Sequence, residues 1–556
     1  MRTRANVVSK ACRALLAATA LLGAGVTHAA IFVDATTADG PALPNVSSTV
    51  TVWNGRTADW SKKGANDGTY PLRDFVEYVE LMSATGGSAE RDLLKDPSDG
   101  SVLDDYDFEP LLKVCREILA MGAKPYLKLG NVPAKFSHDV DNGSFRVNVR
   151  PPDDDLVHYR YMKACAAALK AAFGAGEVRK WRFAVLTEAD NFSWFAAPGK
   201  DAVATREAFF RLYDFCARAF AEELGGGLCF GTHLLYPDDK IWLSNKPGVL
   251  NYERFFEHCE RTGAMLGLFT ISYYSVPGAG LGKAGIVSRL PEVVASAAAH
   301  GFTNLVIGVD EGRVIYSTPG RDRKDLSTRA VGQSYEAALD VRLAKSILDA
   351  RADYIASWGF FSGPNALFEG VPSFAYFTGR EIARFAGLRR VPAAVRGTLP
   401  EGEALDAFAG RSSDGRMVRA AVGRFKDSLA FTNVLETALV LSLPEPLRGK
   451  TVRVETLTLD DRNNWFVDWT RDRVRHGIGD GDFSWSGDDL APLAGRGLQK
   501  PEHRRLFAET LQRTYAEKAA RILPVALSCR VSEEGRLCVP LTYSGNGAAF
   551  VTVRAE

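Results

Sequence analysis

From about residue 50 to residue 390 the chain alternates short apolar runs with amphipathic stretches, and the alternation repeats eight times. The runs are Thr49–Trp53, Val76–Met82, Lys124–Leu129, Trp181–Thr187, Gly227–Thr232, Gly267–Tyr273, Asn304–Asp310 and Asp353–Trp358. Continuous apolar, β-branched runs of this length read as buried parallel strands. Between them, residues such as Phe108, Leu111, Leu112, Cys115, Ile118 and Leu119 keep the i, i+3, i+4, i+7 spacing of one helix face. Phe209, Leu212, Tyr213, Cys216 and Phe220 repeat the pattern, as do Leu339, Leu343, Ala344, Ile347 and Leu348. Eight β/α units in order predict an α/β protein with a (β/α)₈ TIM barrel; a doubly wound sheet is the structural alternative.

Beyond Arg389-Arg390-Val391-Pro392 the character changes. Met417–Val422, Ser428–Thr432, Ala438–Leu443 and Thr451–Thr458 are short β-like runs broken by Gly, Pro and Asp. A charged helical segment near Lys500–Ile522 follows. Then come an expected terminal hairpin, Val525–Cys529 with Arg536–Leu541, and a last strand, Ala548–Arg554. The domain reading is a signal peptide over 1–30, a barrel over 31–390 and a β-sandwich with a helical insertion over 391–556. Residues 31–48 can add a strand to the sandwich through Ile31–Asp34.

The first thirty residues have the order of a secretory signal. Arg2, Arg4, Lys10 and Arg13 precede an apolar stretch, Ala14–Val26, and a small-residue site, Thr27-His28-Ala29-Ala30. That stretch is too short to span a bilayer, so a secreted or periplasmic protein without a membrane span is expected. A net charge of +1 gives no reason to expect a nucleic-acid partner. Seven cysteines follow the signal, an odd number that makes a poor disulfide framework. Cys115, Cys165 and Cys216 fall on apolar helix faces, and Cys529 with Cys538 is the one pair placed to meet across the expected hairpin. The histidines are scattered, with no pair at metal-ligand spacing, so neither a metal nor another cofactor is expected. Nothing in the chain indicates an oligomeric state.

Two runs end in a glutamate followed by turn residues: Lys180-Trp-Arg-Phe-Ala-Val-Leu-Thr-Glu188-Ala-Asp-Asn191, and Asn304-Leu-Val-Ile-Gly-Val-Asp310-Glu311-Gly-Arg313. They are the fourth and seventh strands. The carboxyl ends of barrel strands are where such folds carry their chemistry. A pair of carboxylates there suits glycoside hydrolysis, with Glu311 as nucleophile and Glu188 as acid/base, about 5–5.5 Å apart in a retaining enzyme.

Several segments in this order resemble glycoside hydrolase family 39, the β-xylosidase and α-L-iduronidase group. Asp104-Asp-Tyr-Asp-Phe-Glu-Pro-Leu-Leu112 with Met121-Gly-Ala-Lys-Pro-Tyr-Leu-Lys-Leu-Gly-Asn-Val-Pro133 is similar to that family's second helix and third strand. Thr187-Glu188-Ala189-Asp190 with Trp194-Phe195 stands where the family has Asn-Glu-Pro-Asn and an aromatic pair. Asp310-Glu311 stands where it has Thr-Glu, and Leu459-Asp460-Asp461-Arg-Asn463-Asn464 resembles a segment of its sandwich. The resemblance implies a retaining hydrolase acting on a polysaccharide or oligosaccharide. The chain departs from the family at Thr187, which replaces an Asn that contacts the sugar 2-hydroxyl. It departs again at Gly312, which replaces a Trp, and in Ile271-Ser-Tyr273-Tyr274-Ser275, which lacks a His. These departures keep a non-catalytic glycan-binding protein on the same fold open as the alternative, with a structural or assembly protein behind it.

Around the two glutamates, the expected substrate-binding residues are Asn191, His233, Tyr273, Tyr274 and Trp358. Tyr273 or Tyr274 can donate to Glu311, and Trp358 offers a large apolar face to a pyranose. Trp194 and Phe195 fit either a sugar platform or loop packing. Trp53-Asn54-Gly55-Arg56 reads as a solvated turn, and Asp153-Asp154-Asp155 as a helix cap.

Overall fold

The computed structural model describes residues 29–52, 72–88, 91–143, 146–235, 248–275, 286–314, 333–358, 367–368, 371–478 and 500–556. The basic and apolar stretch ahead of Ala29, the Trp53–Arg56 turn and most of the loop at 317–333 lie outside the described residues, as do the side chains of Tyr274 and Trp358.

Strand β1 (Ala30–Asp34) precedes the barrel. The barrel strands are β2 (Thr49–Val52), β3 (Tyr78–Leu81), β4 (Lys124–Leu129), β5 (Arg182–Val185), β6 (Cys229–Leu234), β7 (Leu268–Ser275) and β8 (Val306–Val314), followed by an eighth strand in two halves, β9 (Tyr354–Ile355) and β10 (Ser357–Trp358). Each pairs in parallel with the next. The two halves of the eighth face different neighbours: β9 pairs with β8, and β10 pairs with β2 through Ser357 opposite Val50. That last pairing closes the barrel and excludes the open sheet.

The helices form as their spacing dictates. Helix Glu109–Ala120 buries Leu111, Val114, Cys115 and Ile118, and Gly122, at φ +83°, turns the chain toward β4. Helix Asp155–Phe173 is capped by Asp154, whose carboxylate accepts the Leu156 amide, as its three-aspartate start implies.

A short hairpin, β11 (Leu367–Phe368) and β12 (Val371–Pro372), follows the eighth strand. The sandwich is built from β13 (Arg389–Val391), β14 (Ala393–Arg396), β15 (Glu403–Arg411), β16 (Met417–Lys426), β17 (Val434–Ser442), β18 (Thr451–Asp460), β19 (Val525–Arg530), β20 (Arg536–Ser544) and β21 (Gly547–Ala555). One sheet runs β14-β1-β17-β20 and the other β13-β15-β16-β21-β18-β19. Strand β1 therefore does join the sandwich, in parallel with β17.

The expected terminal hairpin does not form. Strand β19 pairs with β18 in one sheet and β20 with β17 in the other, because the turn at Ser532–Gly535 carries the chain between sheets. Ser428–Thr432, expected as β, is also not a strand; β16 ends at Lys426 and β17 starts at Val434.

The two parts meet on helix Ser334–Ala350. A Cβ at Gly423 of β16 would lie 3.0 Å from Val341 Cβ and 3.1 Å from the Ala338 carbonyl, so the strand crosses the helix at a distance that leaves little room for a side chain. The helical insertion holds Trp465–Arg475 as well as the expected segment at 500–522. It packs Trp465, Trp469, Phe507 and Tyr515 together with Val371, and Trp465 Nε1 donates to the Pro372 carbonyl at 2.6 Å. The insertion thus reaches the loop that follows the last barrel strand.

Candidate active site

Side chains alternate across each barrel strand. Leu127, Phe183, Phe269, Ile307 and Val309 join the large core beneath the helices. Tyr126, Ala184 and Leu268, with Tyr78, Cys229 and Val306 against them, form a separate cluster on the other face, inside the barrel. The Arg182 guanidinium lies between the rings of Tyr78 and Tyr354, 3.8 and 4.4 Å from their centroids, and donates to Thr49 Oγ1 at 3.1 Å.

Polar and charged groups also line this interior. Asp310 accepts from Tyr126 Oη at 2.6 Å, from Tyr354 Oη at 2.5 Å, and from Thr270 Oγ1 and Lys128 Nζ. Lys128 also lies 3.2 Å from Glu80 Oε1, and Thr51 Oγ1 is 2.8 Å from both Glu80 Oε2 and the Asp310 carbonyl. Glu80, Lys128 and Asp310 are wholly buried. One buried ammonium balances one anion, and the two carboxyls divide accordingly. Burial and the neighbouring Asp310 charge push Glu80 up to about 8. Burial would raise Asp310 as well, but the charge and hydrogen bond of Lys128 outweigh it and hold Asp310 below the usual range. Ligand atoms of Glu80, His233 and Asp310 lie within 4.8 Å of one another, a grouping of metal-ligand type that sequence spacing did not reveal. Lys128 supplies the cationic charge among them.

Glu188 sits above this layer, at the end of β5, where the backbone leaves the strand through Leu186 (φ +64°) and Glu188 itself (φ +45°). Neither conformation is favoured by a side chain with a Cβ. The turn is held from several sides: the Leu186 amide donates to the Leu129 carbonyl, the Ala189 amide to the His233 carbonyl, and the Leu235 amide to Asp190 Oδ1. Thr187 Oγ1 donates to the Met82 carbonyl at 2.9 Å, so its hydroxyl proton is engaged within the fold.

Glu188 is 5 % exposed, and its carboxyl takes three donors. Asn191 Nδ2 at 2.9 Å and Trp194 Nε1 at 3.1 Å meet Oε2, and Ser272 Oγ at 2.7 Å meets Oε1. Burial raises its protonation above the ordinary glutamate value, and the three hydrogen bonds only partly offset this.

Glu311 reaches the same rim through an irregularity. The β7–β8 register is regular up to Ile271 opposite Val309, then shifts so that Ser272 stands opposite Glu311. Asp310 is the extra residue. A bulge re-aims the side chains that follow it. Asp310 keeps its place inside the barrel, and Glu311 (5 % exposed) comes level with Ser272, whose hydroxyl touches Glu188.

Among the residues expected to bind substrate, Asn191 and His233 belong to this constellation, but as supports. Asn191 holds Glu188 and accepts the Ser193 amide, while His233 Nε2 meets Ser272 Oγ at 2.9 Å. Tyr273 does not face the rim: it stands opposite Gly312 and belongs, with Phe269 and Ile271, to the outer core. Trp194 packs with Met82 and Val147, and Phe195 joins the main core, so neither is a sugar platform. Ser272, Lys128 and Glu80 were not singled out in the sequence. Their signal was present: charged or hydroxyl residues at every second position of strands otherwise apolar enough to be buried.

No family model matches the chain, and no curated protein matches it. Among solved structures it is similar to the GH39 enzyme from Xanthomonas axonopodis pv. citri, at 17 % identity and a TM-score of 0.64, over 97 % of this chain and 99 % of that one. A monomeric β-xylosidase from Caulobacter crescentus CB15 matches at 17 % identity and 0.64, over 94 % and 99 %. The bacterial orthologue of human α-L-iduronidase matches at 15 % and 0.60, over 95 % and 84 %. The chain has their fold. At these identities the likeness is one of architecture, barrel and sandwich together, and the chemistry must be argued from the rim.

Proposed function

We propose that the protein is a retaining glycoside hydrolase of the family 39 type, exported from the cell and acting on an oligosaccharide or polysaccharide. The observation that carries this reading is that Glu188 and Glu311 both come to Ser272: the Glu188 carboxyl hydrogen-bonds the serine, and residue Glu311 is the serine's register partner across β7 and β8. Glu311 attacks the anomeric carbon as the glycosidic C–O bond breaks, and Glu188 gives its proton to the departing oxygen. Glu188 then takes a proton from water as that water displaces Glu311 from the sugar. The raised protonation of Glu188 supports the acid role, since an acid working near neutral pH must still hold its proton there.

The fold shared with GH39 enzymes supports the same chemistry, and the basic and apolar N-terminal stretch supports export. Because the Thr187 hydroxyl proton is engaged with Met82, a hydrogen-bond donor to the sugar 2-hydroxyl must come from another group. Incubation with a panel of activated 2-fluoro glycosides, read by intact mass, tests the proposal. A covalent adduct that maps to Glu311 and is absent from Glu311→Ala is expected. Glycan binding equal in wild type, Glu188→Ala and Glu311→Ala, with no product released from any glycan, would replace it with the binding-protein reading.

A further inference from the structure

The hydrogen bonds around Glu188 distinguish its two oxygens. Asn191 Oδ1 accepts the Ser193 amide at 3.0 Å, which orients the amide group so that Nδ2 is the atom facing Glu188. Trp194 Nε1 can only donate. Oε2 therefore meets two obligate donors, neither of which can accept a proton from it. Oε1 meets Ser272 Oγ, which can donate or accept.

Behind the serine, His233 completes the arrangement. Its Nε2 is 2.9 Å from Ser272 Oγ, while Nδ1 is buried and meets no hydrogen-bond partner among the described residues. A buried N–H without an acceptor costs more than a bare lone pair, so the proton belongs on Nε2 and is donated to Ser272. Burial and the Lys128 ammonium below keep the ring neutral; Asp310 opposes them without prevailing.

We propose that Ser272, held by His233, is the positioning residue that makes Oε1 the proton-bearing oxygen of Glu188. The proposal rests on the reading of Glu188 as the acid/base. With Glu188 ionised, the Ser272 hydroxyl donates to Oε1. With Glu188 protonated, the hydroxyl rotates and Oγ accepts from the Oε1 proton. The His233 Nε2–H stays in place in both states. Neither Asn191 nor Trp194 can follow the carboxyl through this change, because their donors are fixed.

The test compares wild type with Ser272→Ala, Ser272→Thr and His233→Gln, the last two retaining a hydroxyl and an N–H donor. Two readouts are used. The first is the titration of Glu188 by carbon-13 NMR of glutamate-labelled protein, assigned by the signal missing in Glu188→Gln. The second is the ratio of kcat/KM for a phenyl glycoside, which needs a protonated leaving group, to that for a 2,4-dinitrophenyl glycoside, which scarcely does. Ser272→Ala is expected to move the Glu188 titration upward and lower the ratio about 10- to 100-fold. Ser272→Thr and His233→Gln are expected to restore most of both. An unmoved titration in folded Ser272→Ala, or a loss equal for the two glycosides, overturns the proposal. If wild type cleaves no glycoside, the hydrolase reading fails, and the titration still decides what Ser272 does to Glu188.

Discussion

Lys128 and Asp310 pair inside the barrel with both side chains wholly buried, and Asp310 is the residue immediately before Glu311. The pair links the fold to the rim. The bulge that brings Glu311 level with Ser272 is anchored by an aspartate that Lys128, Tyr126, Tyr354 and Thr270 all hold. Lys128→Met leaves that charge buried without its cation. A loss of about 3–5 kcal/mol is expected, read as a lower urea midpoint, with a reduced rate on any accepted glycoside.

Gly308 makes room for one of those partners. A Cβ there would lie 2.4 Å from Tyr354 Cε1 and Cζ, so Gly308→Ala must displace the ring that donates to Asp310. Overpacking of this kind costs about 1–3 kcal/mol. Thermal unfolding should show the loss, and Tyr354→Phe combined with Gly308→Ala should cost less than the sum of the single changes, since the ring's hydrogen bond is already lost in one.

Trp194→Phe keeps the packing against Met82 and Val147 but removes one donor from Glu188 Oε2. The ionised form loses support, so Glu188 should titrate higher still. Because the acid must be protonated to act, the alkaline limb of the kcat/KM profile should move to higher pH. Hydrolysis of the covalent intermediate, which needs the ionised base, should slow up to about tenfold. A pH–rate profile and a burst experiment check the two effects separately.

Glu80 gives a stability signature of its own. It titrates at about 8 in the folded chain against an ordinary value of 4.5, so between these the folded state holds a proton that the unfolded state has lost. Its contribution to stability is complete below the ordinary value and disappears as pH rises through about 8. Glu80→Gln mimics the protonated carboxyl and removes this dependence. Urea midpoints measured from pH 5 to 8 should fall more steeply in wild type than in the variant.

How much of this was legible beforehand differs by level. Eight strand cores, the closed barrel and the sandwich follow from periodicity, because apolar spacing reports directly which face of an element is buried. Glu311 read as the residue that ends its strand, whereas β8 continues to Val314. The direction of individual side chains at the rim does not follow. Tyr273 read as a rim residue and lies in the outer core, while Asp310 and Glu311 sit on consecutive positions yet both serve the interior, because a one-residue bulge changes the parity of everything after it. The network of Glu80, Lys128, Asp310, His233 and Ser272 is assembled from β3, β4, β6, β7 and β8, residues far apart in the chain. The sequence by itself determined which residues are charged and which strands are buried. Only closure of the barrel decided that those charges meet, since β10 must find β2 before the inward positions of all eight strands share one enclosed space.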